Sequence, residues 1–169
     1  MLIRQILKGD QQAFDALVRK HYANIYAYCY RRVRDENAAA DLTQEAFLKV
    51  VATIYKYRFT GKFSNFVFTI AVNLCNDYWR KHEPALDVDL AVLPSTERQP
   101  LDGIIQSEEN QRLREHLDAL PDMQKEALIL YYYHGMKAKD IAEITGVPLA
   151  TAKSRIKQGL DKLRKEYGI

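Results

Sequence analysis

Apolar residues recur at helical spacing along almost the whole of this 169-residue chain. In the stretch AFDALVRKHYANIYAYCYRRV they return every three or four residues, which places them on one face of a helix. These positions are Phe14, Leu17, Val18, Tyr22, Ile25, Cys29 and Val33. A second helix follows RDEN, where Asp35 or Asn37 can cap it, and a third runs from about Phe63 to Lys81. No useful length alternates like a strand, so the pattern predicts an all-α protein.

An acidic, proline-containing stretch interrupts this pattern near the middle. Pro84, Pro94 and Pro100 lie within EPALDVDLAVLPSTERQPLDG, and a proline disfavours helix at its own position and at the one before. We therefore expect residues 85–110 to form a flexible acidic linker between two small helical domains, residues 1–84 and 111–169. Both domains carry net positive charge, which indicates a polyanion partner but does not distinguish DNA, RNA and a membrane surface.

The C-terminal stretch KDIAEITGVPLATAKSRIKQGLDKLRKE joins two helical patterns through the tight turn TGVP. Gly146 can end the first helix in a left-handed conformation, and the second helix has an apolar side. The other side or its margin carries Thr151, Lys153, Ser154, Arg155, Lys157, Gln158 and Lys162. A helix in the DNA major groove needs this division, so the pattern predicts a helix-turn-helix. A merely solvated basic helix is the alternative, and it leaves the glycine turn unexplained.

A helix with two contrasting faces is predicted for DLTQEAFLKVVATIY. Its apolar face consists of Leu42, Ala46, Phe47, Val50 and Ile54. Diametrically opposite lie Asp41, Gln44, Glu45 and Leu48. A leucine bracketed by two acids and an amide is typical of a protein interface with an apolar anchor and a polar rim. A single exposed leucine is also an ordinary surface feature, so both interpretations stay open.

Aromatic and basic residues mix in YKYRFTGKFSNFVFTIAVNLCNDYWRKH, which we read as a loop followed by a helix. One helix face is apolar, whereas the opposite face carries Asn65, Thr69, Asn73, Asn76 and Arg80, with Val72 and Trp79 adjoining. The loop ahead of it contains Tyr57, Arg58, Phe59 and Lys62. Such a mixture suits the stacking of unpaired bases. A small helical domain could instead use the same aromatic residues as its core.

These three stretches, in this order, resemble the extracytoplasmic-function (ECF) class of bacterial RNA polymerase sigma factors. The resemblance covers nearly the whole chain and rests on GDQQAFDALVRKHY, AADLTQEAFLKV, FTIAVNLCNDYWRK, LDALPDMQKEALILYYYHGM and DIAEITGVPLATAKSRI. It implies a protein that binds core RNA polymerase and directs promoter-specific transcription initiation in the bacterial cytoplasm. It implies no enzymatic activity, no cofactor, no metal and no insertion into the membrane.

The resemblance also assigns roles to numbered residues. It implies that Asp41, Gln44, Glu45 and Leu48 dock on the clamp helices of core polymerase. The downstream (minus-ten) element would be opened and held, with a base flipped out, by Tyr57, Arg58, Phe59, Lys62, Asn65, Asn73, Asn76 and Arg80. The upstream (minus-thirty-five) element would be read by Lys139, Thr151, Lys153, Ser154, Arg155 and Gln158. Members of the family are commonly held inactive by an anti-sigma factor, and no residue here identifies one.

Some positions depart from the family pattern. Phe66 stands where the family often has Trp, and Val72 where it often has Arg. Ala150 and Ala152 replace a Gly and a Val, and Gln158 replaces a frequent Arg. These changes bear on which promoter sequence is read, since Val72 and Gln158 lack the charge for phosphate contacts. Fold and polymerase binding are unaffected by them.

Two other classes of protein fit the sequence pattern less well. A stand-alone helix-turn-helix regulator with an N-terminal sensor or dimerisation domain would leave the face around Leu48 unexplained. An enzyme acting on nucleic acid is disfavoured because the four histidines are scattered and no phosphate-binding Gly-Lys-Ser/Thr loop occurs. Cys29 and Cys75 have no ligand-like spacing, so they are expected to be buried thiols.

Overall fold

The computed structural model describes residues 2–57, 61–82 and 108–167. Within these ranges the chain forms helices and contains no strand, which confirms the predicted all-α class. Most of the stretch predicted as a linker lies outside the described residues. Its last part is helical, because a helix already begins at Glu108.

Four α-helices build the first domain. They are α1 (Leu2–Leu7), α2 (Gln11–Val33), α3 (Glu36–Thr53) and α4 (Phe63–His82), with a 3-10 turn at Ile54–Lys56. The Asp10 carboxylate accepts the backbone N–H groups of Gln12 and Ala13, which caps the start of α2. Asp35 caps α3 in the same way by accepting the N–H of Ala38 at 2.7 Å, as one of the two predicted caps.

The core of the first domain lies where α2, α3 and α4 pack on one another. Ile25 and Cys29 of α2, Val50 of α3 and Val67 and Cys75 of α4 are completely buried in it. Both cysteines are free, as the sequence predicts. The helical spacing of apolar residues therefore predicted the inward faces correctly. Tyr22 is an exception, because its ring lies at the surface and stacks on Tyr26.

The second domain contains α5 (Glu108–Asp118), α6 (Asp122–Leu128), a π-helical turn (Ile129–Tyr133), α7 (Ala138–Thr145) and α8 (Leu149–Tyr167). Helix α7 ends at Gly146, which adopts the predicted left-handed conformation with φ of 69°. Helix α8 packs on α6 and α7 through Ala152 and Ile156. The helix-turn-helix prediction is thereby confirmed as a fold element.

The two domains also pack on each other, which the sequence did not predict. Helix α4 of the first domain lies against α7 of the second. The π-helical turn contacts α2. The seam between the domains includes polar contacts as well as buried apolar side chains, and it covers part of the face of α4 that the sequence pattern leaves open.

Candidate nucleic-acid and polymerase interface

The outer face of α3 carries the four residues that the sequence singled out for polymerase binding. Asp41, Gln44, Glu45 and Leu48 are all exposed, and the Leu48 side chain is 69% accessible. The inward face of α3 is buried in the core, and the helix periodicity places Leu48 on the opposite face, where it is exposed. Glu45 lies 3.9 Å from Lys49 on the same helix, and an exposed pair of this kind is worth little.

Two further apolar side chains extend this face beyond the predicted set. Val51 and Tyr55 are exposed and follow Leu48 at three- and four-residue steps, so they lie along the same stripe. Neither residue was predicted from the sequence, because the predicted face ended at Leu48. Their helical spacing from Leu48 was the signal that could have identified them. Together with Leu48 they form a continuous apolar strip bordered by Asp41 and Glu45.

The outward side of α8 keeps its predicted polar groups accessible. Lys153, Ser154 and Gln158 are exposed, whereas Thr151 and Arg155 are half-buried. Gln158 donates to the Ser154 hydroxyl at 3.3 Å and accepts from Gln124 of α6 at 3.1 Å. These hydrogen bonds hold Ser154 and Gln158 together along one side of α8. Lys139 lies exposed near the start of α7, on the preceding helix of the motif.

In the described part of the loop before α4, the aromatic side chain of Tyr57 packs against other aromatic rings. The Tyr57 ring lies 5.0 Å from Phe66 and 5.3 Å from Phe63 between ring centroids, and its hydroxyl donates to the Gly61 carbonyl. Tyr57 is therefore half-buried on a small aromatic cluster. Arg58 and Phe59 lie outside the described residues. Phe63, Phe66 and Tyr57 therefore form an aromatic cluster, and the Tyr57 ring contributes to the packing of the first domain.

The polar face of α4 is divided between solvent and the second domain. Asn73 and Arg80 are exposed, and Arg80 forms an ion pair with Asp77. In contrast, Asn65 and Val72 are almost completely buried, although the wheel places them on or next to the outward face. The reason is the packing of α7 against α4. A helical wheel treats one helix in isolation and contains no information about such a neighbour.

At one end of the seam, two carboxylates of α7 hold polar groups of the first domain. The Asn65 amide donates to Asp140 at 3.0 Å and to Glu143 at 3.2 Å. The Lys62 ammonium donates to the other Asp140 oxygen at 3.3 Å. The hydrogen bond from Asn65, aided by Lys62, lowers the pKa of Asp140 below its usual value. Asp140 therefore stays ionised in this contact.

At the other end of the seam, a buried charge network links α2, α4 and α6. Arg32 donates to the Tyr28 hydroxyl at 2.7 Å and to the side-chain amide oxygen of Asn76 at 2.9 Å. Its guanidinium lies 4.0 Å from the Glu126 carboxylate. Burial raises the pKa of Glu126, and Arg32 opposes that rise. Asn76, expected to face DNA, is thus half-buried and already engaged by Arg32.

His134 lies between these two polar contacts and packs against aromatic rings of the first domain. Its ring centroid lies 5.0 Å from Phe68 and 6.0 Å from Tyr28. Burial, with a smaller effect of Arg31, lowers the pKa of His134 to about 4. The imidazole is therefore neutral at physiological pH, and its Nε2 atom is buried without a hydrogen-bond partner.

Other kinds of site find little support in the part of the chain that the structure describes. No group of three or more His, Cys, Asp or Glu side chains in residues 2–57, 61–82 and 108–167 is arranged to hold a metal ion. None of the helices described here is both long and apolar enough to cross a lipid bilayer.

These features define a class: an all-α protein with a helix-turn-helix in one domain and an apolar-anchored face in the other. Comparison with known proteins narrows this class. Residues 17–84 match the family model for sigma-70 region 2, and residues 110–163 match that for sigma-70 region 4. The ECF RNA polymerase sigma factor SigW of Bacillus subtilis is 32% identical to this chain, over 97% of it and 94% of SigW.

Two further comparisons agree with this match. The ECF RNA polymerase sigma factor SigE of Mycolicibacterium smegmatis is 32% identical over 92% of this chain and 63% of SigE. CnrH, solved with the cytosolic domain of CnrY, has the same fold with a TM-score of 0.75, at 20% identity, over 99% of this chain and 95% of CnrH. The chain therefore belongs to the ECF RNA polymerase sigma factors.

Proposed function

We propose that the chain contacts core RNA polymerase through α3 and promoter DNA through α4 and α8, and thereby starts transcription at a defined set of promoters. The observation that carries this proposal is the exposed apolar strip of α3 with its acidic border. Leu48 is a large apolar residue that is 69% exposed, because the opposite face of its helix is buried in the core. Burying such an anchor against a partner is favourable, and it explains a side chain that the fold does not use.

Polymerase binding through α3 relies on both parts of this face. Leu48, with Val51 and Tyr55 beside it, supplies apolar area that leaves water on binding. Asp41 and Glu45 border the strip, so a partner with basic residues around an apolar groove is complementary to it. Gln44 lies between them and can hydrogen-bond to either sign of charge.

Upstream-element recognition is assigned to α8 in residues 111–169. Arg155 has a forked guanidinium that can donate twice to one guanine, and Ser154, Thr151 and Gln158 are short donors and acceptors for other base edges. Lys139 and Lys153 are exposed cations suited to phosphates. Because one short helix makes few phosphate contacts, this domain alone should bind DNA weakly.

Downstream-element opening is assigned to the loop and to α4 in residues 1–84. Tyr57, Arg58, Phe59 and Lys62 would hold unpaired bases and phosphates, and Asn65, Asn73, Asn76 and Arg80 would contact base edges and backbone. Unstacking one base costs about a few kcal/mol, and stacking on an aromatic side chain offsets much of it. This role is non-enzymatic and places the protein in the bacterial cytoplasm, where polymerase and promoters are found.

Two kinds of partner complete the proposal. Core polymerase and promoter DNA are the working partners, and an anti-sigma factor is expected because members of this family are commonly controlled by one. A stand-alone regulator would have to bind its operator tightly without polymerase. It would also leave the α3 strip without a use.

The test is transcription with purified components. Core RNA polymerase is mixed with the chain and genomic DNA of the source bacterium, and the 5′ ends of the RNA products are sequenced. We expect the chain to co-elute with core enzyme and to create discrete start sites that share upstream and downstream elements. If the chain neither co-elutes nor changes the start sites, the proposal is wrong.

A further inference from the structure

Gln158, on the outward side of α8, lies in the middle of a row of three hydrogen-bonded side chains. The Gln124 amide of α6 donates through Nε2 to the Gln158 oxygen at 3.1 Å. The Gln158 Nε2 atom donates in turn to the Ser154 hydroxyl oxygen at 3.3 Å. Both hydrogen bonds therefore run in the same direction, from α6 towards the exposed side of α8.

The close approach of α6 to α8 depends on Gly159, the neighbour of Gln158. A methyl group at Gly159 would lie 3.6 Å from the Gln124 Cβ and 2.8 Å from the Leu128 Cδ1. The backbone N–H of Gln124 donates to the Pro121 carbonyl at 2.9 Å, which fixes the residue in the first turn of α6. Because position 159 has no side chain, Gln124 can reach Gln158 from this fixed place.

The direction of the row is set by the buried end of the Gln124 amide. Its Oε1 atom is buried and has no hydrogen-bond partner among the residues that the structure describes. If this amide were turned over, its NH₂ group would occupy the same place with both hydrogens unpaired. Buried N–H groups without a partner are rarer in folded proteins than carbonyl oxygens without one. The Gln124 nitrogen is thus favoured on the side of Gln158, which makes Gln124 the donor.

The direction of these hydrogen bonds leaves donors for DNA at the exposed end of the row. Gln158 Nε2 has a second hydrogen besides the one that it shares with Ser154. The Ser154 hydroxyl accepts from Gln158, so its own hydrogen is available to another acceptor. Both residues are exposed. In the major groove guanine presents two acceptors, whereas adenine and cytosine each present a donor and thymine presents one acceptor. Two neighbouring donors therefore suit guanine best.

We propose that Gln124 is a positioning residue for sequence recognition: its hydrogen bond makes Gln158 and Ser154 a pair of donors, and this pair selects a guanine in the upstream element. The inference rests on the proposed role of α8 in reading that element. A glutamine that turns freely pairs best with adenine, because its oxygen and nitrogen match the donor and acceptor of that base. Gln124 engages the Gln158 oxygen and so reverses the preference that Gln158 would have alone.

The test replaces Gln124 with residues that hydrogen-bond in only one direction. Gln124→Lys can only donate, so it should keep the direction of the row. Gln124→Glu, when ionised, can only accept, so the Gln158 amide should turn over and its oxygen should accept from the Ser154 hydroxyl. The matched controls are Met123→Lys and Met123→Glu, which place the same charges on the neighbouring, exposed residue of α6.

Each full-length variant is combined with core polymerase and selects from promoter DNA of a mapped start site, in which the upstream element is randomised. The bound DNA is sequenced, so the base preference is measured separately from the affinity for phosphates, which added charge alters for every sequence. Ser154→Ala identifies the base pair in question, because the preference at that position should be lost.

At this position we expect a preference for guanine of about tenfold in the unaltered chain, in Gln124→Lys and in both Met123 variants. In Gln124→Glu the preference should change to adenine or cytosine, because acceptors now face the groove. The same preference in the two Gln124 variants would overturn the inference. So would a change that Met123→Glu reproduces, because charge would then be the cause. Thermal unfolding of every variant excludes loss of the fold.

The proposed function can fail separately from this inference. If no variant forms a complex with core polymerase, the proposed function is wrong. The selection is then made with the chain alone on random duplex DNA at low salt, where phosphate contacts are strongest. The two Gln124 variants should still select different bases there, and the absence of any selected base would overturn the inference.

Discussion

The Arg32 guanidinium on α2 lies 4.0 Å from the Glu126 carboxylate on α6, and both side chains are almost completely buried. Each residue belongs to a different domain, so this pair couples the two folds. Removing one member of a buried pair is costly because the other charge stays buried without a counter-ion. The pair therefore makes the stability of one domain depend on the other.

Glu126→Gln is expected to uncouple the domains. The cost to the packed arrangement should be about 3–5 kcal/mol, the usual range for a broken buried pair. Trp79 is the only tryptophan and lies in the first domain, where its indole donates to the Arg32 carbonyl. In urea, its fluorescence should follow circular dichroism in one transition for the unaltered chain. In the variant the two curves should separate.

The control for this change is Glu115→Gln, at an exposed position of α5. It removes the same charge from the second domain but leaves Arg32 paired. Its two unfolding curves should stay coincident. If Glu126→Gln also leaves them coincident at an unchanged midpoint, the pair does not couple the domains.

His134 should make the packed form sensitive to acid. Its pKa is lowered to about 4 from the ordinary histidine value, so the packed state favours the neutral ring. The contribution of the neutral ring to the free energy of unfolding is therefore complete at neutral pH. It is lost as the pH falls from the ordinary histidine range towards 4. Between about pH 7 and pH 5 the loss should be on the order of 1–2 kcal/mol.

The measurement is the free energy of unfolding of the unaltered chain and of His134→Phe, which keeps a ring against Phe68 and Tyr28. The variant should lose less stability on acidification. His21, whose pKa is lowered mainly by burial, leaves a residual change of the same sign. Glu126, whose pKa is raised, opposes it, so the difference between the two proteins is the informative quantity. Identical pH profiles would contradict the assignment.

Gly159 is expected to be required for the contact of α8 with α6. A methyl group at this position would lie 2.8 Å from Leu128 Cδ1 and 3.0 Å from Leu128 Cγ. Gly159→Ala should therefore destabilise the second domain by about 1–3 kcal/mol through overpacking, although alanine favours helix. Chemical denaturation followed by circular dichroism measures this. Lys162→Ala, at an exposed position of α8, should change stability little, and equal effects would contradict the overpacking account.

The sequence predicted the helices and their inward faces because both depend on local periodicity. Gly146 shows this well, since a glycine after an apolar-periodic segment has a direct conformational reason to end a helix. The seam was not predictable in the same way. Asn65 and Asp140 are far apart in sequence, and nothing in the spacing of either indicates that they meet. The burial of Asn65 and Val72 follows from that contact between domains, which a single helical wheel cannot contain.

Leu48 is expected to be an anchor for polymerase binding. Leu48→Ala should weaken binding to core enzyme by about 2 kcal/mol or more if the side chain enters a desolvated pocket. Adding Asp41→Lys and Glu45→Lys should abolish co-elution, because the border charges are then inverted. Leu7→Ala is the matched control, since Leu7 is also an exposed leucine in the first domain. If the triple variant is folded and still binds core enzyme, α3 is not the interface.

Variants of Arg155 and of Tyr57 should be defective at different steps of initiation. Arg155→Ala should weaken recognition of the duplex upstream element by about 1–3 kcal/mol if its guanidinium holds one base edge with two hydrogen bonds. Lys165→Ala, further along α8 and exposed, should have a smaller effect that does not depend on the base sequence. Tyr57→Ala should leave upstream binding intact, because its proposed partners are bases that become available only after the strands separate.

Two templates from a mapped start site distinguish these defects, one fully paired and one with a pre-melted downstream element. The Tyr57 variant should regain transcription on the pre-melted template to the extent that its defect is in strand opening. The Arg155 variant should stay defective on both, since each still requires the upstream element. Tyr57 also packs on Phe63 and Phe66, so thermal unfolding of the variant must be measured alongside. If Tyr57→Ala loses stability and activity together on both templates, its ring serves the core and the role in opening is wrong.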